Sequence, residues 1–271
     1  MAPETAHARQ AFGTQRRDLW WVEPLWIVVL FTAFVVYATF RVFEANNVAT
    51  RYFDVDNGHY HYLSPFGTPD LTAFVPHALT ALPYLGVFFA NPGFLILPVP
   101  AAFRFTCYYY RKAYYRSFVG RPAACGVEAV KGRKYRGEKG LRIFQNVHRY
   151  ALYLAILVMV FLAVDFVRGI WTPHGWYFGF GNVLMGVNVA LLAGYTFGCH
   201  SFRHLVGGKL DCFTCDAVSQ TRYSIWKRVS MLNSRHMFWA ITSLISVGLT
   251  DVYIRWVAIH HVTLLFGVVP A

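Results

Sequence analysis

The chain has 271 residues, of which 56% are hydrophobic and only 14% are charged, and its formal net charge is +12. A soluble globular protein carries about 25% charged residues, so this composition excludes an ordinary soluble domain. The apolar residues form blocks of about 20, the length that a helix needs to cross a hydrocarbon layer of roughly 30 Å. We expect the positive charge to be sorted by side of the membrane, so it does not indicate binding to nucleic acid.

The apolar blocks predict an all-α membrane bundle of five transmembrane helices, which forms one membrane-anchor domain over residues 1–271. The first block follows an N-terminal tail that carries Arg16 and Arg17, then Trp20 and Trp21. Basic residues followed by indole rings are typical of a cytoplasmic tail and an interfacial belt. The five predicted spans are, in chain order, about 24–43, 78–110, 148–170, 181–203 and 237–257.

The second span is the least regular of the five, because several prolines interrupt it, among them Pro83, Pro92 and Pro98. Proline removes a backbone donor and breaks or kinks a helix. Two readings stay open for this region: one kinked helix, or a re-entrant piece followed by a helix. In both readings the expected break lies at 91–93.

Lysine and arginine are concentrated in three segments between or before the spans. Residues 111–149 hold eleven of them, and residues 200–235 hold six. The positive-inside rule places these two segments and the N-terminal tail in the cytoplasm, so the N-terminus of this multi-pass plasma membrane protein is expected to be cytoplasmic. Two charged pairs near the outer span ends, Asp165 with Arg168 and Asp251 with Arg255, are expected to neutralise themselves along one helix.

The cysteines and several histidines gather on the predicted cytoplasmic side. That compartment is reducing, so structural disulfides are not expected there. Thiols and imidazoles that meet at one level of the membrane indicate a metal or iron–sulfur site. The spacing of four between His200 and His204 puts both rings on one helix face. Cys212 and Cys215 have the two-residue gap that suits one iron or one zinc.

Two cysteines and two histidines would match the ligands of a Rieske-type [2Fe–2S] centre. The usual local spacing of that motif is absent, so separate helices would have to supply the ligands. Haem b is the alternative cofactor. An inner haem would use two of His148, His200 and His236, and an outer haem would draw on His77, His174, His260 and His261. A cofactor-free anchor and a small transporter are the remaining alternatives.

A cluster of tyrosines alternates with basic residues in 108–116, which reads YYYRKAYYR. Aromatic rings and cations at this level are typical of a membrane anchor. They also suit a docking face for a soluble partner, or the mouth of a quinone pocket that offers polar donors to the carbonyl oxygens.

Five stretches together resemble one family: TCYYYRKAYYRSFV at 106–119, PAAC ending at Cys125, QNVHRY around His148, CHSFRHLVGG from Cys199, and LNSRHM around His236. They are similar to the five-helix membrane anchor of actinobacterial succinate dehydrogenase (respiratory complex II), of the type that lacks haem. The resemblance covers roughly residues 15–260.

The resemblance implies that the chain anchors a flavoprotein and an iron–sulfur subunit in the lipid bilayer, with a higher oligomer left open. Electrons from succinate would reach quinone, expected to be menaquinone, through a membrane-embedded Rieske-like [2Fe–2S] centre. Quinone contacts are expected from Tyr108, Arg111, Arg235 and Trp239. Cys212 and Cys215 do not match the family pattern. The expected cluster ligands are two cysteines and two histidines from the set Cys107, Cys125, Cys199, His148, His200, His204 and His236.

Overall fold

The computed structural model describes residues 14, 16, 18–44, 53–56, 60–128, 140–173 and 175–270; Arg17 and His174 lie outside the described residues. The helices are α1 Val22–Glu44, α2 His77–Thr80, α3 Gly86–Phe89, α4 Pro92–Ile96, α5 Pro98–Thr106, α6 Tyr108–Phe118, α7 Leu141–Arg168, α8 Phe180–Phe197, α9 His200–Gly207, α10 Ala217–Ser234 and α11 His236–His260, with a 3-10 turn at Thr72–Phe74. The strands are β1 Asp54–Asp56, β2 His61–Leu63, β3 Trp171–Thr172, β4 Gly175–Gly179 and β5 Leu265–Pro270.

Four of the described helices, α1, α7, α8 and α11, are long and apolar enough to cross a membrane. Helix α1 has 23 residues, which corresponds to about 34 Å at 1.5 Å per residue. Its outward face is apolar and open, with Val36 62% exposed. Exposed aliphatic side chains of this kind suit contact with lipid, so the multi-pass membrane class is confirmed.

The second apolar region is not one of these four helices, because it is divided into the short helices α2 to α6. The side chain of Asn91 caps α4 by accepting hydrogen bonds from the backbone N–H groups of Gly93 and Phe94. The expected break at 91–93 is therefore confirmed, and the reading of one kinked helix is wrong. A second break falls at Cys107, whose extended backbone separates α5 from α6.

Residues 91–118 nevertheless follow the whole length of α1 in the antiparallel direction. Asn91 Nδ2 donates to the carbonyl of Val42 at 2.5 Å, near the end of α1. Arg116 lies 3.6 Å from Glu23, at the start of α1. The broken region thus connects the two ends of the bundle.

Helix α8 runs antiparallel to both α7 and α11. At one end of the α7–α8 pair His148 lies against Cys199, and at the other end Asn182 Nδ2 donates to the carbonyl of Gly169 at 2.8 Å. We call the end at which α7 and α11 begin and α8 ends the cysteine end. The predicted fourth span, 181–203, is too long, because α8 stops at Phe197 and α9 starts as a separate helix.

A buried ionic network joins α1 to α11 at the opposite end of the bundle. Arg41 and Asp251 both have fully buried side chains, and Arg41 Nε donates to Asp251 at 2.6 Å. Arg255 instead donates to Glu44. The expected Asp251–Arg255 pair is therefore wrong, because parallel packing of α1 against α11 supplies partners from another helix. In the described part of the chain no ion pair joins Asp165 to Arg168 either.

Two small antiparallel sheets cap the opposite end, so the prediction of a purely α-helical fold is wrong in this detail. β1 pairs with β2, and β4 lies between β3 and β5. β5 comes from the short apolar tail after α11, and its Gly267 is opposite Phe178 of β4.

Candidate functional site

Two of the cysteines sit at junctions between helices at the cysteine end. Cys107 separates α5 from α6, and Cys199 is the N-cap of α9; both have extended backbones. Their exposed fractions are only 2% and 1%. The backbone N–H of Ser201 donates to Cys199 Sγ at 3.3 Å. Each break in the helices thus turns a thiol into the interior of the bundle.

Each buried thiol lies against an imidazole from a different helix. Cys199 Sγ is 3.0 Å from His148 Nε2 of α7, and Cys107 Sγ is 3.7 Å from His236 Nε2 of α11. Both imidazoles are buried, with exposed fractions of 6% and 1%. We call these four side chains the thiol–imidazole quartet.

Neighbouring side chains fix the two rings. Thr106 Oγ1 lies 3.0 Å from His148 Nδ1, and the Phe103 ring stacks on His148 with centroids 4.6 Å apart. The Tyr195 ring stacks on His236 at 5.0 Å. A metal-binding imidazole is commonly oriented in this way by a partner on its other ring nitrogen.

A cavity of about 410 Å³ opens beside the quartet. Six of the seven predicted ligands line this cavity: Cys107, His148, Cys199, His200, His204 and His236. His200 and His204 are exposed, and His204 Nδ1 lies 3.0 Å from Arg149 Nη2. These two histidines therefore lie on the open side of the cavity, outside the buried quartet.

The remaining cysteines lie elsewhere. Cys125 is exposed and does not line the cavity. Its carbonyl accepts a hydrogen bond from Arg16 at 2.9 Å. Cys212 and Cys215 form a disulfide in the loop between α9 and α10. Structural disulfides are not expected on this side of the protein, but a two-residue gap brings these two sulfurs within bonding reach.

The four predicted quinone contacts separate into two groups. Tyr108 and Arg111 line the cavity, and Arg111 Nη1 donates to the carbonyl of Thr106 at 2.8 Å. Arg235 and Trp239 are not among the residues that line it. Arg235 is exposed between α10 and α11.

Six polar residues of the cavity wall were not predicted from the sequence as site residues: Thr106, Gln145, Asn146, Arg149, Ser201 and Asn233. Asn233 Nδ2 donates to the carbonyl of Gly198, which holds the end of α10 against the end of α8. A signal for all of them was present, because each lies in one of the quoted family stretches: TCYYYRKAYYRSFV, QNVHRY, CHSFRHLVGG or LNSRHM.

The donor types of the quartet, two thiols and two imidazoles, match those of a [2Fe–2S] centre with mixed ligation. Within the described ranges, no three His, Cys, Asp or Glu side chains are close enough to hold one ion. A [2Fe–2S] centre needs only two protein ligands per iron, and two of its four ligands can be histidines. His236 Nδ1 is also buried without a hydrogen-bond partner among the described residues. The quartet supplies both ligand types from four separate elements.

The histidines considered for an outer haem are not brought together in the same way. His77, His260 and His261 are exposed at the opposite end of the bundle. None of the three has the buried surroundings of His148 or His236.

These features define a multi-pass membrane protein with a buried thiol–imidazole site at one end. A model of the family described as actinobacterial succinate dehydrogenase subunit SdhC matches residues 22–260, so the chain belongs to this family and is a membrane subunit of succinate dehydrogenase. The family resemblance seen in the sequence is confirmed.

The fold is similar to that of a chain in a solved structure described as the Mycobacterium smegmatis Sdh1 complex in the apo form. The two chains are 38% identical, the match covers 97% of each, and the TM-score is 0.77. A comparison with curated proteins gave no match.

Proposed function

We propose that this chain is the membrane anchor and electron-transfer subunit of succinate:quinone oxidoreductase. It forms a single membrane-anchor domain over residues 1–271 and binds the flavoprotein and iron–sulfur subunits at its cysteine end. Membership of the family and the likeness to a chain of the Sdh1 complex support this assignment. The enzymatic activity belongs to the assembled complex.

The cysteine end faces the cytoplasm in this proposal. The described residues of the basic segments, 111–128, 140–149 and 200–235, adjoin that end, as the positive-inside rule requires. The broken region supplies the second of five crossings, since Asn91 and Arg116 contact opposite ends of α1. With five crossings, the N-terminus is cytoplasmic and the end of α11 lies outside.

The thiol–imidazole quartet holds the redox centre. The observation that carries this proposal is the burial of Cys107, Cys199, His148 and His236 as two thiol–imidazole contacts beside one cavity. When bound, a [2Fe–2S] centre with mixed ligation supplies one-electron transfer at a potential raised by its histidines. Cys125, His200 and His204 are not ligands in this proposal.

The surrounding residues orient the ligands and receive the quinone. Thr106 holds the His148 ring through Nδ1, and the Ser201 N–H stabilises negative charge on Cys199. Tyr108 and Arg111 are the proposed quinone contacts, because both line the cavity and both offer donors for a carbonyl oxygen. Menaquinone is the proposed quinone.

The test is the optical and electron paramagnetic resonance spectrum of the purified, dithionite-reduced complex. The proposal predicts that the chain copurifies with a flavoprotein and an iron–sulfur subunit, and that a Rieske-type signal appears without a Soret band. A Soret band that follows this chain would make the histidines haem ligands and would contradict the proposal. A complex with neither signal would be a cofactor-free anchor, and a chain that purifies alone would favour a transporter.

A further inference from the structure

We propose that Cys212 and Cys215 form a reversible dithiol–disulfide site, separate from the thiol–imidazole quartet, that exchanges with low-molecular-weight disulfides of the cytoplasm. This inference depends on the proposed function only through the cytoplasmic orientation of the cysteine end. The two cysteines lie in the loop between α9 and α10, with a Cα–Cα distance of 5.8 Å.

Exposure distinguishes this pair from the two buried thiols of the quartet. Cys215 is exposed and Cys212 is partly exposed, whereas Cys107 and Cys199 are buried. Thiol–disulfide exchange requires that a thiolate reach a sulfur atom along an open approach. Cys125 is also exposed, but no second thiol adjoins it in the described part of the chain. Small disulfides can therefore oxidise the loop pair, which then forms an intramolecular S–S bond.

The loop keeps its shape through contacts that do not involve sulfur. Arg222 donates from Nε to the carbonyl of Val206 at 2.9 Å and from Nη2 to the carbonyl of Gly208 at 2.8 Å. The Phe213 ring, between the two cysteines, packs on the Tyr223 ring with centroids 4.6 Å apart. Because these contacts tie the loop to α9 and α10, reduction of the disulfide leaves the fold intact and the site reversible.

The compartment determines how such a disulfide behaves. The basic residues of 200–235 place the loop on the cytoplasmic side. Cysteine thiols in the cytoplasm are kept reduced, and the disulfides that do form there are usually transient and catalytic or redox-sensing. A bonded pair on this side is therefore a labile one, whereas the same pair outside the cell would be a lasting structural bond.

The chemistry balances with a small disulfide as the oxidant. The thiolate of one cysteine attacks a sulfur of the small disulfide and displaces one small thiolate. The second cysteine then attacks the mixed disulfide, which forms the S–S bond and releases the second small thiolate. Two electrons pass from the pair to the small molecule, and the two protons lost by the cysteines end on the two released thiols.

The experiment measures the pair in the complete complex. Growing cells are quenched in acid, free thiols are alkylated with one maleimide, and thiols released by reduction are labelled with a second. Mass spectrometry counts both labels at Cys212 and Cys215. In most chains from untreated cells we expect the first label on both residues. Brief treatment with dithiodipyridine should change both residues together to the second label, and dithiothreitol should restore the first label fully. In the Cys215→Ser control, Cys212 forms only a mixed disulfide.

Two results of this labelling experiment would overturn the proposal. One is a pair that carries the second label in untreated cells and resists dithiothreitol until the complex is denatured. The other is a pair that fails to form the bond under dithiodipyridine. A membrane-impermeant maleimide, added to reduced intact cells, tests the orientation separately: labelling from outside would also overturn the proposal. Succinate oxidation by the same preparation shows whether the proposed function stands independently of either result.

Discussion

Substitution of Asp251 by alanine tests how strongly the buried ionic network stabilises the bundle. Asp251 accepts hydrogen bonds from Arg41 Nε at 2.6 Å, from Arg41 Nη2 at 3.2 Å and from Tyr37 at 2.5 Å. Ser64 donates to the same carboxylate and so attaches the loop after β2 to the bundle. Asp251→Ala removes the acceptor of all four hydrogen bonds.

The expected cost follows from the charge that remains. Removing one partner of a buried ion pair costs about 3–5 kcal/mol, because the other charge stays buried without compensation. Arg41 keeps its contact with Glu44 at 2.6 Å, so the lower end of this range applies. We expect a loss of about 3 kcal/mol in the free energy of unfolding, which is roughly a 100-fold change in the equilibrium constant.

Equilibrium unfolding in mixed micelles, followed by circular dichroism, measures this loss. The double variant Arg41→Met, Asp251→Leu removes both charges and should recover most of it, because apolar replacement of a buried pair is often neutral. Arg255→Ala is the matched control at a partly exposed ion pair and should cost less than about 1 kcal/mol. Two results would refute the reasoning. One is an Asp251→Ala variant that is as stable as the native chain, and the other is a double variant that is less stable than Asp251→Ala.

Three further predictions concern single side chains. Thr106→Val removes the partner of His148 Nδ1. We expect the purified complex to lose iron at a chelator concentration about 10–100-fold lower than the native complex does. Gly194→Val places a Cβ 2.6 Å from the Trp239 ring, so the free energy of unfolding should fall by about 1–3 kcal/mol. His61 donates a hydrogen bond to the carboxylate of Asp54 in β1, which raises the pKa of His61. The stabilising effect of this contact is complete below the ordinary histidine pKa and disappears as pH rises through the raised pKa. The difference in unfolding midpoint between the native chain and His61→Gln should therefore shrink as pH rises above the ordinary histidine pKa of about 6.5.

Each of these predictions has its own control. Thr106→Ser keeps a hydroxyl and should retain iron; equal loss from both variants would contradict a role for the hydroxyl. Gly248→Ala adds a Cβ that lies 3.8 Å from Phe34, an ordinary contact, and should be tolerated. A Gly194→Val variant with native stability would show that Trp239 moves freely. A pH-independent difference at His61 would show that its imidazole does not gain a proton in the folded state.

The long apolar segments and the site motifs could be predicted from the sequence. The predicted spans 24–43 and 237–257 lie within α1 and α11, because each is mostly apolar over the length that a crossing helix needs. Six of the seven predicted ligands line the cavity, since the motifs that carry them fall at one end of the spans.

Tertiary contacts decided what the sequence could not. The contact between Cys107 and His236 joins residues 129 apart, so spacing gives no sign of it. Local spacing suggested an Asp251–Arg255 pair, but helix packing brought Arg41 to Asp251 instead. The tail that forms β5 carries no strand pattern of its own and gains its pairing from β4. In each case the partner comes from a distant part of the chain.

Histidine variants test whether the thiol–imidazole quartet holds the redox centre of this subunit, as proposed above. The electron paramagnetic resonance spectrum of the reduced complex is recorded for His148→Ala and His236→Ala, and for the double variant His200→Ala, His204→Ala. We expect all of these complexes to assemble. The Rieske-type signal should be lost in each quartet variant and retained in the exposed-histidine variant. Retention in both quartet variants, or loss only in the exposed-histidine variant, would contradict it.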